Sequence, residues 1–214
     1  MKATPRALAL GITLLVLATV LFVVIDPALA WDDDNEWLGK GRLFLYFTTQ
    51  SNILAVVAAV VHGVALVQGR RPSRPAEYLR GLAVVDLAIT GIVNGVLLAE
   101  PGAPWDFSDF VLHQAAPVLV IVWWIAVPPA EPLPFSAVLL WLVHPFVWSA
   151  SILMYAFESS DNWYPYFFLD PSAVDGWGGV AMFIAIIHLV IAVLGIATVG
   201  IGTLRRRSRV VTPQ

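Results

Sequence analysis

Residues 41–63 read Gly41-Arg-Leu-Phe-Leu-Tyr-Phe-Thr-Thr-Gln-Ser-Asn-Ile-Leu-Ala-Val-Val-Ala-Ala-Val-Val-His-Gly63, a stretch that is apolar enough to enter a lipid bilayer. Near its start, five polar side chains follow one another from Thr48 to Asn52. Such a run is costly in hydrocarbon unless it faces protein or water. Because a helix turns about 100° per residue, one face collects Thr48, Ser51, Asn52, Ala55, Ala59 and His62. This small and polar face predicts the inner wall of a bundle of membrane helices.

The composition of the whole chain also indicates an integral membrane protein. The 214 residues are 59% hydrophobic and only 13% charged, whereas a typical soluble domain carries about 25% charged residues. The sequence has no Cys, which excludes disulfides, thiol nucleophiles and cysteine metal sites. We therefore expect a single transmembrane domain that covers residues 1–214.

Six apolar runs predict an all-α bundle of six transmembrane helices. The expected helices cover about 7–25, 43–67, 81–99, 110–127, 135–157 and 177–203, and residues 205–214 form a basic tail. The first run is also compatible with a signal peptide, since Ala28-Leu-Ala30 resembles a cleavage site. That run is longer than the usual apolar core of a signal peptide, which favours a retained helix.

The distribution of basic residues predicts the orientation in the membrane. Six helices place both termini on one side, and ten of the twelve Lys and Arg residues lie there with them: Lys2, Arg6, Arg70, Arg71, Arg74, Arg80, Arg205, Arg206, Arg207 and Arg209. The positive-inside rule makes this side cytoplasmic. We therefore expect a multi-pass protein of the plasma membrane with both termini in the cytoplasm. Because the basic residues are explained by topology, nucleic acid is not an expected partner.

Thr48 and His113 are expected at a similar depth in the membrane. Thr48 lies about five residues into its predicted helix, roughly 7–8 Å at the helical rise, and His113 lies a few residues into a helix that runs the same way. A hydroxyl within reach of an imidazole is the minimum arrangement for an activated oxygen nucleophile. Asn52, one turn deeper, is a candidate oxyanion donor, with Ser51 beside it as support. The alternative is that Thr48 bonds to the backbone or a neighbouring helix, as most membrane Thr residues do.

Other polar residues in the predicted helices have candidate roles of their own. His144 and His188 both lie near mid-membrane, but no His-x3-His or Glu-x2-His pair accompanies them, so we expect packing histidines and no metal. His62 and Asp86 lie toward the cytoplasmic side and are candidates for a mutual pair. The aromatic run Trp163–Phe168 is typical of an interfacial belt, with a lid over an outer-leaflet site as the second interpretation.

Several membrane and nucleotide-binding classes are excluded by missing motifs. The sequence has no Gly-x-Ser-x-Gly, no P-loop and no Lys inside a predicted helix. These absences argue against an intramembrane serine protease, a nucleotide-binding protein and a retinal Schiff base, respectively.

Three short motifs resemble the androgen-induced-gene family of multi-pass membrane proteins and its bacterial relatives. They are Tyr46-Phe-Thr-Thr-Gln-Ser-Asn52, Leu112-His-Gln-Ala-Ala-Pro117 and Tyr164-Pro-Tyr-Phe-Phe-Leu-Asp170. The resemblance implies a threonine hydrolase that cleaves fatty acid esters of hydroxy fatty acids and needs no cofactor. It implies that Thr48 is the nucleophile and His113 its partner. The adjacent Thr49 leaves the choice of nucleophile open between the two threonines.

The sequence thus supports two hypotheses from different classes. The first is an intramembrane lipid-ester hydrolase, with Thr48 as nucleophile and His113 as base, whose partners are membrane lipids and a lipid ester substrate. The second is a non-catalytic small transporter or lipid-binding membrane protein whose polar faces line a path. Unwound helices at mid-membrane would favour transport, whereas a pocket open only to the outer side would favour the hydrolase.

Overall fold

A computed structural model describes residues 13, 39–100, 102, 104–159 and 162–211. The predicted helix 7–25 and the possible cleavage site lie outside the described residues, apart from Thr13. In the part of the chain that is described, there is no strand, and five helices are long and apolar enough to cross a membrane. These helices are α1 (Phe47–Val67), α2 (Arg74–Leu98), α3 (Phe107–Ala126), α4 (Ala137–Glu158) and α5 (Gly176–Val211). The predicted all-helical architecture is confirmed for these residues, which contain five of the six predicted membrane helices.

The start of α2 differs from the prediction, which placed it at about Gly81. The helix begins at Arg74 because Ser73 caps it: the Ser73 side chain accepts a hydrogen bond from the Ala76 N–H, and a Pro follows in the first turn. Arg80 was predicted just before this helix, with the other basic residues of the cytoplasmic side, but it lies inside α2 and is fully buried. It can be buried there because it forms an ion pair of 2.6 Å with Glu77, one turn earlier.

Helix α2 is the centre of the bundle and packs against each of the other four helices. Small residues allow this packing, because they let helix backbones approach closely. Ala55 and Ala59 of α1 and Ala83 of α2 are almost fully buried. At Gly81 the fit is tightest: any side chain there would collide with the indole ring of Trp141, whose N–H donates to the Tyr78 carbonyl at 2.9 Å.

The described helices form an antiparallel bundle with two distinct ends. At one end, which we call the basic end, Arg80 donates to the Val127 carbonyl and Glu77 accepts from the Ala130 N–H, so the start of α2 meets the end of α3. At the opposite end, which we call the site end, the first turns of α1 and α3 meet the end of α2 and the loop 162–175.

Two helical segments at the site end are widened into π-helical turns, Asn94–Leu98 in α2 and Val111–Ala115 in α3. The cause in α3 is Pro117, which has no N–H to donate to the His113 carbonyl and whose ring would collide with that carbonyl in a regular α-helix. The displaced His113 carbonyl oxygen faces Gly91, where an added Cβ would lie 3.0 Å from it. Single π turns of this kind occur frequently at functional sites.

Candidate functional site

The site is built around the contact between Thr48 and His113. Thr48 lies in the first turn of α1 and His113 in the π-helical turn of α3, and Thr48 Oγ1 is 3.2 Å from His113 Nε2. Thr48 is almost fully buried, whereas the His113 side chain keeps 16% of its surface exposed. The structure therefore brings together the two side chains that the sequence placed at a similar depth, at a distance suitable for a hydrogen bond.

Asp109 completes this arrangement from the opposite side of the imidazole. His113 Nδ1 lies 2.8 Å from Asp109 Oδ1 and 3.2 Å from the Asp109 carbonyl oxygen. Because both of these atoms are acceptors, Nδ1 carries a hydrogen, and in the neutral ring the lone pair of Nε2 then points toward Thr48. The order Thr48–His113–Asp109 is that of a nucleophile, a base and a group that orients the base.

The sequence interpretation missed Asp109, although a usable signal was present. Asp109 and His113 are four residues apart, a spacing that brings side chains together on a helix. The predicted helix began at about Phe110 and so left Asp109 in a loop. In the structure the helix begins earlier because the Asp106 side chain caps it, accepting from the Asp109 N–H at 2.7 Å.

Tyr166 is the second residue of the site that the sequence did not single out. Its hydroxyl oxygen lies 3.4 Å from Thr48 Oγ1 and 3.5 Å from the Thr48 backbone nitrogen. Its ring stacks on Phe168, with 5.2 Å between the centroids, and contacts the tilted ring of Trp148 at 5.8 Å. Burial raises the pKa of the Tyr166 hydroxyl. The aromatic run that contains Tyr166 therefore covers the Thr48 hydroxyl directly.

An apolar pocket begins beside these residues and continues into the bundle. Its cavity volume is about 50 Å³, and about 550 Å³ when its opening and all other space between the lining atoms are included, so the pocket is narrow. It reaches Ile191, roughly 22 Å of helical rise from the start of α5. Most of the lining is aliphatic or aromatic: Phe47, Ile89, Val93, Leu98, Pro145, Trp148, Phe168, Leu169, Ile184, Ile187 and Ile191.

The predicted oxyanion donor Asn52 and its neighbour Ser51 do not face the pocket. Both are fully buried. The Asn52 amide donates to the Thr48 carbonyl at 2.8 Å, and the Ser51 hydroxyl donates to the Phe47 carbonyl at 2.5 Å and lies 3.1 Å from Thr90 Oγ1. Their donors are thus occupied by helix backbone and by α2. Of the two adjacent threonines, Thr48 lines the pocket and Thr49 is absent from the lining.

The prediction that His62 pairs with Asp86 is wrong. Asp86 Oδ2 lies 2.8 Å from His144 Nδ1, and His62 Nε2 lies 3.9 Å from Glu77 Oε1. The reason is the early start of α2, which places Asp86 roughly 18 Å along the helix axis from Arg74 instead of near the basic end.

His144 and His188 also have separate partners. His144 Nε2 lies 3.3 Å from the Gln50 side-chain oxygen, while His188 Nδ1 lies 2.8 Å from the Ile184 carbonyl one turn earlier in its own helix. His188 lines the pocket and His144 does not. Among the residues that the structure describes, no cluster of three His, Asp or Glu side chains could hold a metal ion.

Comparison with protein families, with curated proteins and with solved structures gives no match to this chain. The resemblance to the androgen-induced-gene family therefore stays a prediction.

Proposed function

We propose that this protein is an intramembrane lipid-ester hydrolase of the plasma membrane in which Thr48 is the nucleophile and His113 the general base. The observation that carries the proposal is the position of the Thr48 hydroxyl, 3.2 Å from His113 Nε2 and beside an apolar pocket. A threonine hydroxyl is a weak nucleophile unless a base accepts its proton. Asp109, at 2.8 Å from the other imidazole nitrogen, fixes the tautomer that this role requires.

In the first half of the reaction, Thr48 Oγ1 attacks the ester carbonyl carbon and its proton passes to His113 Nε2. The resulting tetrahedral intermediate collapses when the carbon–oxygen bond to the alcohol breaks. His113 gives the proton to the leaving alkoxide, which departs as an alcohol. The acyl group is now esterified to Thr48. His113 has given up the proton that it accepted from Thr48, so this half of the reaction leaves no net charge beside Thr48.

In the second half, water attacks the acyl carbon and gives one proton to His113 Nε2. The bond between the acyl carbon and Thr48 Oγ1 breaks, the fatty acid leaves, and His113 returns the proton to the threonine oxygen. The water reaches the acyl-enzyme from the exposed side, where His113 and the half-exposed Asp109 face the membrane surface.

The pocket favours an ester with a long apolar chain as substrate. Its walls are almost entirely hydrocarbon, and burial of each methylene group contributes about 0.8 kcal/mol. The ester bond would lie at the site end, beside Thr48, while the chain extends toward Ile191. Fatty acid esters of hydroxy fatty acids, the class that the family resemblance implies, fit this description, as do other long-chain lipid esters.

Lipid binding without catalysis is the second candidate, because the same apolar pocket would hold a fatty chain with or without its hydrolysis. Transport across the membrane has less support, since buried Arg80, Trp123 and Trp124 fill the bundle at the basic end. The π-helical turns lie at the site end and not at mid-membrane, where transporters usually bind their substrates at broken helices.

Hydrolysis of 4-nitrophenyl esters by purified protein in detergent separates the two candidates. We expect turnover of a long-chain ester, with a KM that rises as the chain is shortened. Thr48→Ala should reduce turnover to the background rate, and Thr49→Ala, the matched control one position away, should keep most of it. Retention of full turnover in Thr48→Ala would overturn the proposal. A wild type that binds the long-chain ester without Thr48-dependent turnover would support lipid binding.

A further inference from the structure

The proposed hydrolysis needs a group that stabilises the oxyanion of the tetrahedral intermediate. A donor suits this role if it is fixed in place before the reaction and lies close to the attacking oxygen, because the oxyanion forms on the carbon that this oxygen attacks. Asn52, which the sequence offered, donates instead to the Thr48 carbonyl inside α1. The donor must therefore come from another part of the site.

The Tyr166 hydroxyl has the required position. It lies 3.4 Å from Thr48 Oγ1, on the wall of the pocket in which the ester would bind. Aromatic contacts hold it there: the ring of Tyr46, just before α1, lies edge-on at 5.8 Å, and Phe168 of the same loop stacks at 5.2 Å. A side chain packed on several faces does not have to reorganise during the reaction, which is the condition for effective electrostatic stabilisation.

The hydrogen of the Tyr166 hydroxyl is also available for donation. The Thr48 backbone N–H belongs to the first turn of α1 and has no partner within the helix. It donates toward the Tyr166 hydroxyl oxygen, with 3.5 Å between the nitrogen and the oxygen. The hydroxyl oxygen thus accepts from the backbone, and its own hydrogen remains free for Thr48 Oγ1 in the resting site. Burial raises the pKa of this hydroxyl, so it keeps its proton at neutral pH.

We infer that Tyr166 is a catalytic residue of the proposed hydrolase: its hydroxyl donates a hydrogen bond to the oxyanion that forms when Thr48 attacks the ester. The Thr48 N–H assists by donating to the Tyr166 hydroxyl oxygen. This inference rests on the proposed function. When the Thr48 oxygen bonds to the carbonyl carbon, the Tyr166 hydrogen turns from that oxygen to the neighbouring oxyanion. The proton stays on Tyr166 throughout, and it stabilises the charge without being transferred.

The test replaces Tyr166 by Phe, which removes the hydroxyl and keeps the ring and its packing. In the hydrolysis of a long-chain 4-nitrophenyl ester, Tyr166→Phe should lower kcat roughly 100-fold, the usual loss for one oxyanion donor. KM and the melting temperature should stay unchanged, because the pocket and the aromatic contacts remain. Tyr164→Phe, which removes a hydroxyl two residues earlier in the same loop, is the control and should keep the wild-type kcat.

The outcomes separate this inference from the proposed function. Thr48-dependent turnover in the wild type together with an undiminished kcat in Tyr166→Phe would overturn the role of Tyr166 and leave the hydrolase in place. A loss in Tyr166→Phe that appears in KM, or together with a lower melting temperature, would make Tyr166 a packing residue and would equally overturn the inference. A wild type without Thr48-dependent turnover would overturn both proposals.

Discussion

His113 at the site end and His62 at the basic end each lie beside a carboxylate, Asp109 and Glu77 respectively. At the basic end, both carboxylate oxygens of Glu77 have partners: one pairs with the buried Arg80 and the other accepts from the Ala130 N–H. The Arg80 guanidinium in turn lies 4.6 Å from the centre of the Trp124 ring. This cluster joins three helices and the loop that follows α3, and none of its residues lines the pocket beside Thr48.

The site end has the opposite character. The His113 side chain is 16% exposed and that of Asp109 is 52% exposed, and the third partner is a hydroxyl on a pocket wall. Little of the bundle's packing depends on these groups. A histidine–carboxylate pair alone therefore does not indicate chemistry in a membrane protein, since the basic end has one as well. The site end differs because its imidazole Nε2 lies 3.2 Å from a hydroxyl oxygen and has a pocket beside it that could receive a ligand.

Substitution of the two histidines should give the largest difference in turnover between the two ends. His113→Gln removes the base and should lower turnover by about 10²–10⁴-fold, with little change in the melting temperature. His62→Gln should leave turnover near the wild-type rate, since His62 has no contact with the pocket. The measurement is kcat for a long-chain ester on both variants. Equal losses of kcat in the two variants would mean that the substitution of His113 lowers kcat by disturbing the fold and not by removing a base.

Removal of the charged partner at the basic end should affect stability instead. Arg80→Met leaves the buried Glu77 carboxylate without its cation, which costs about 3–5 kcal/mol when a buried pair is broken. Asp109→Asn should change the free energy of unfolding by less than about 0.5 kcal/mol, because exposed pairs contribute little. Chemical unfolding in mixed detergent micelles measures both values. A stable Arg80→Met protein would contradict the structural role of the basic end.

Asp109→Asn should have its effect on turnover. We expect kcat to fall on the order of tenfold, less than for a buried triad aspartate, because the Asp109 carbonyl also accepts from His113 Nδ1 and helps to keep the tautomer. The comparison of kcat with Asp106→Asn, a neighbouring outer carboxylate that caps α3, isolates the contribution to the imidazole. An unchanged kcat in Asp109→Asn would remove Asp109 from the mechanism.

The smallest effect is expected at Gly91. A Cβ at this position would lie 3.0 Å from the His113 carbonyl oxygen, so Gly91→Ala has to move the π-helical turn by a few tenths of an ångström. Because a displacement of about 1 Å can cost 10²-fold, we expect a loss of a few-fold in kcat. Gly95→Ala is the control, since its Cβ would meet no neighbouring atom.

The helices and the similar depth of Thr48 and His113 could be predicted from the sequence because both depend on simple periodicity, whereas the contact itself depends on which helices are neighbours. Hydropathy located the five described membrane helices, and counting residues along two of them placed Thr48 and His113 at one depth. The same reasoning placed the start of α2 too late, because the apolar run begins at about Gly81, whereas the cap at Ser73 begins the helix earlier. The signals of a capping residue and a Pro were available there and would have placed Arg80 inside the helix.

The rest of the site could not be derived from periodicity. Tyr166 lies in a loop, and its contact with Thr48 joins residues that are 118 positions apart. No pattern in the sequence distinguishes it from the other aromatic residues between Trp163 and Phe168. Periodicity also could not show what Asn52 contacts. It correctly placed Asn52 on the inner face of α1, but that face packs on α2, and the Asn52 amide donates to a carbonyl of its own helix.

Reaction with a long-chain fluorophosphonate, followed by mapping of the labelled peptide, tests whether the Thr48 hydroxyl is activated. The probe forms a covalent bond only with an activated hydroxyl, and its alkyl chain fits the apolar pocket. We predict labelling of the wild type and of Thr49→Ala on Thr48, and no labelling of Thr48→Ala or His113→Gln. A well-folded wild type that remains unlabelled, or that is labelled on a residue other than Thr48, would contradict the assignment of Thr48 as an activated nucleophile.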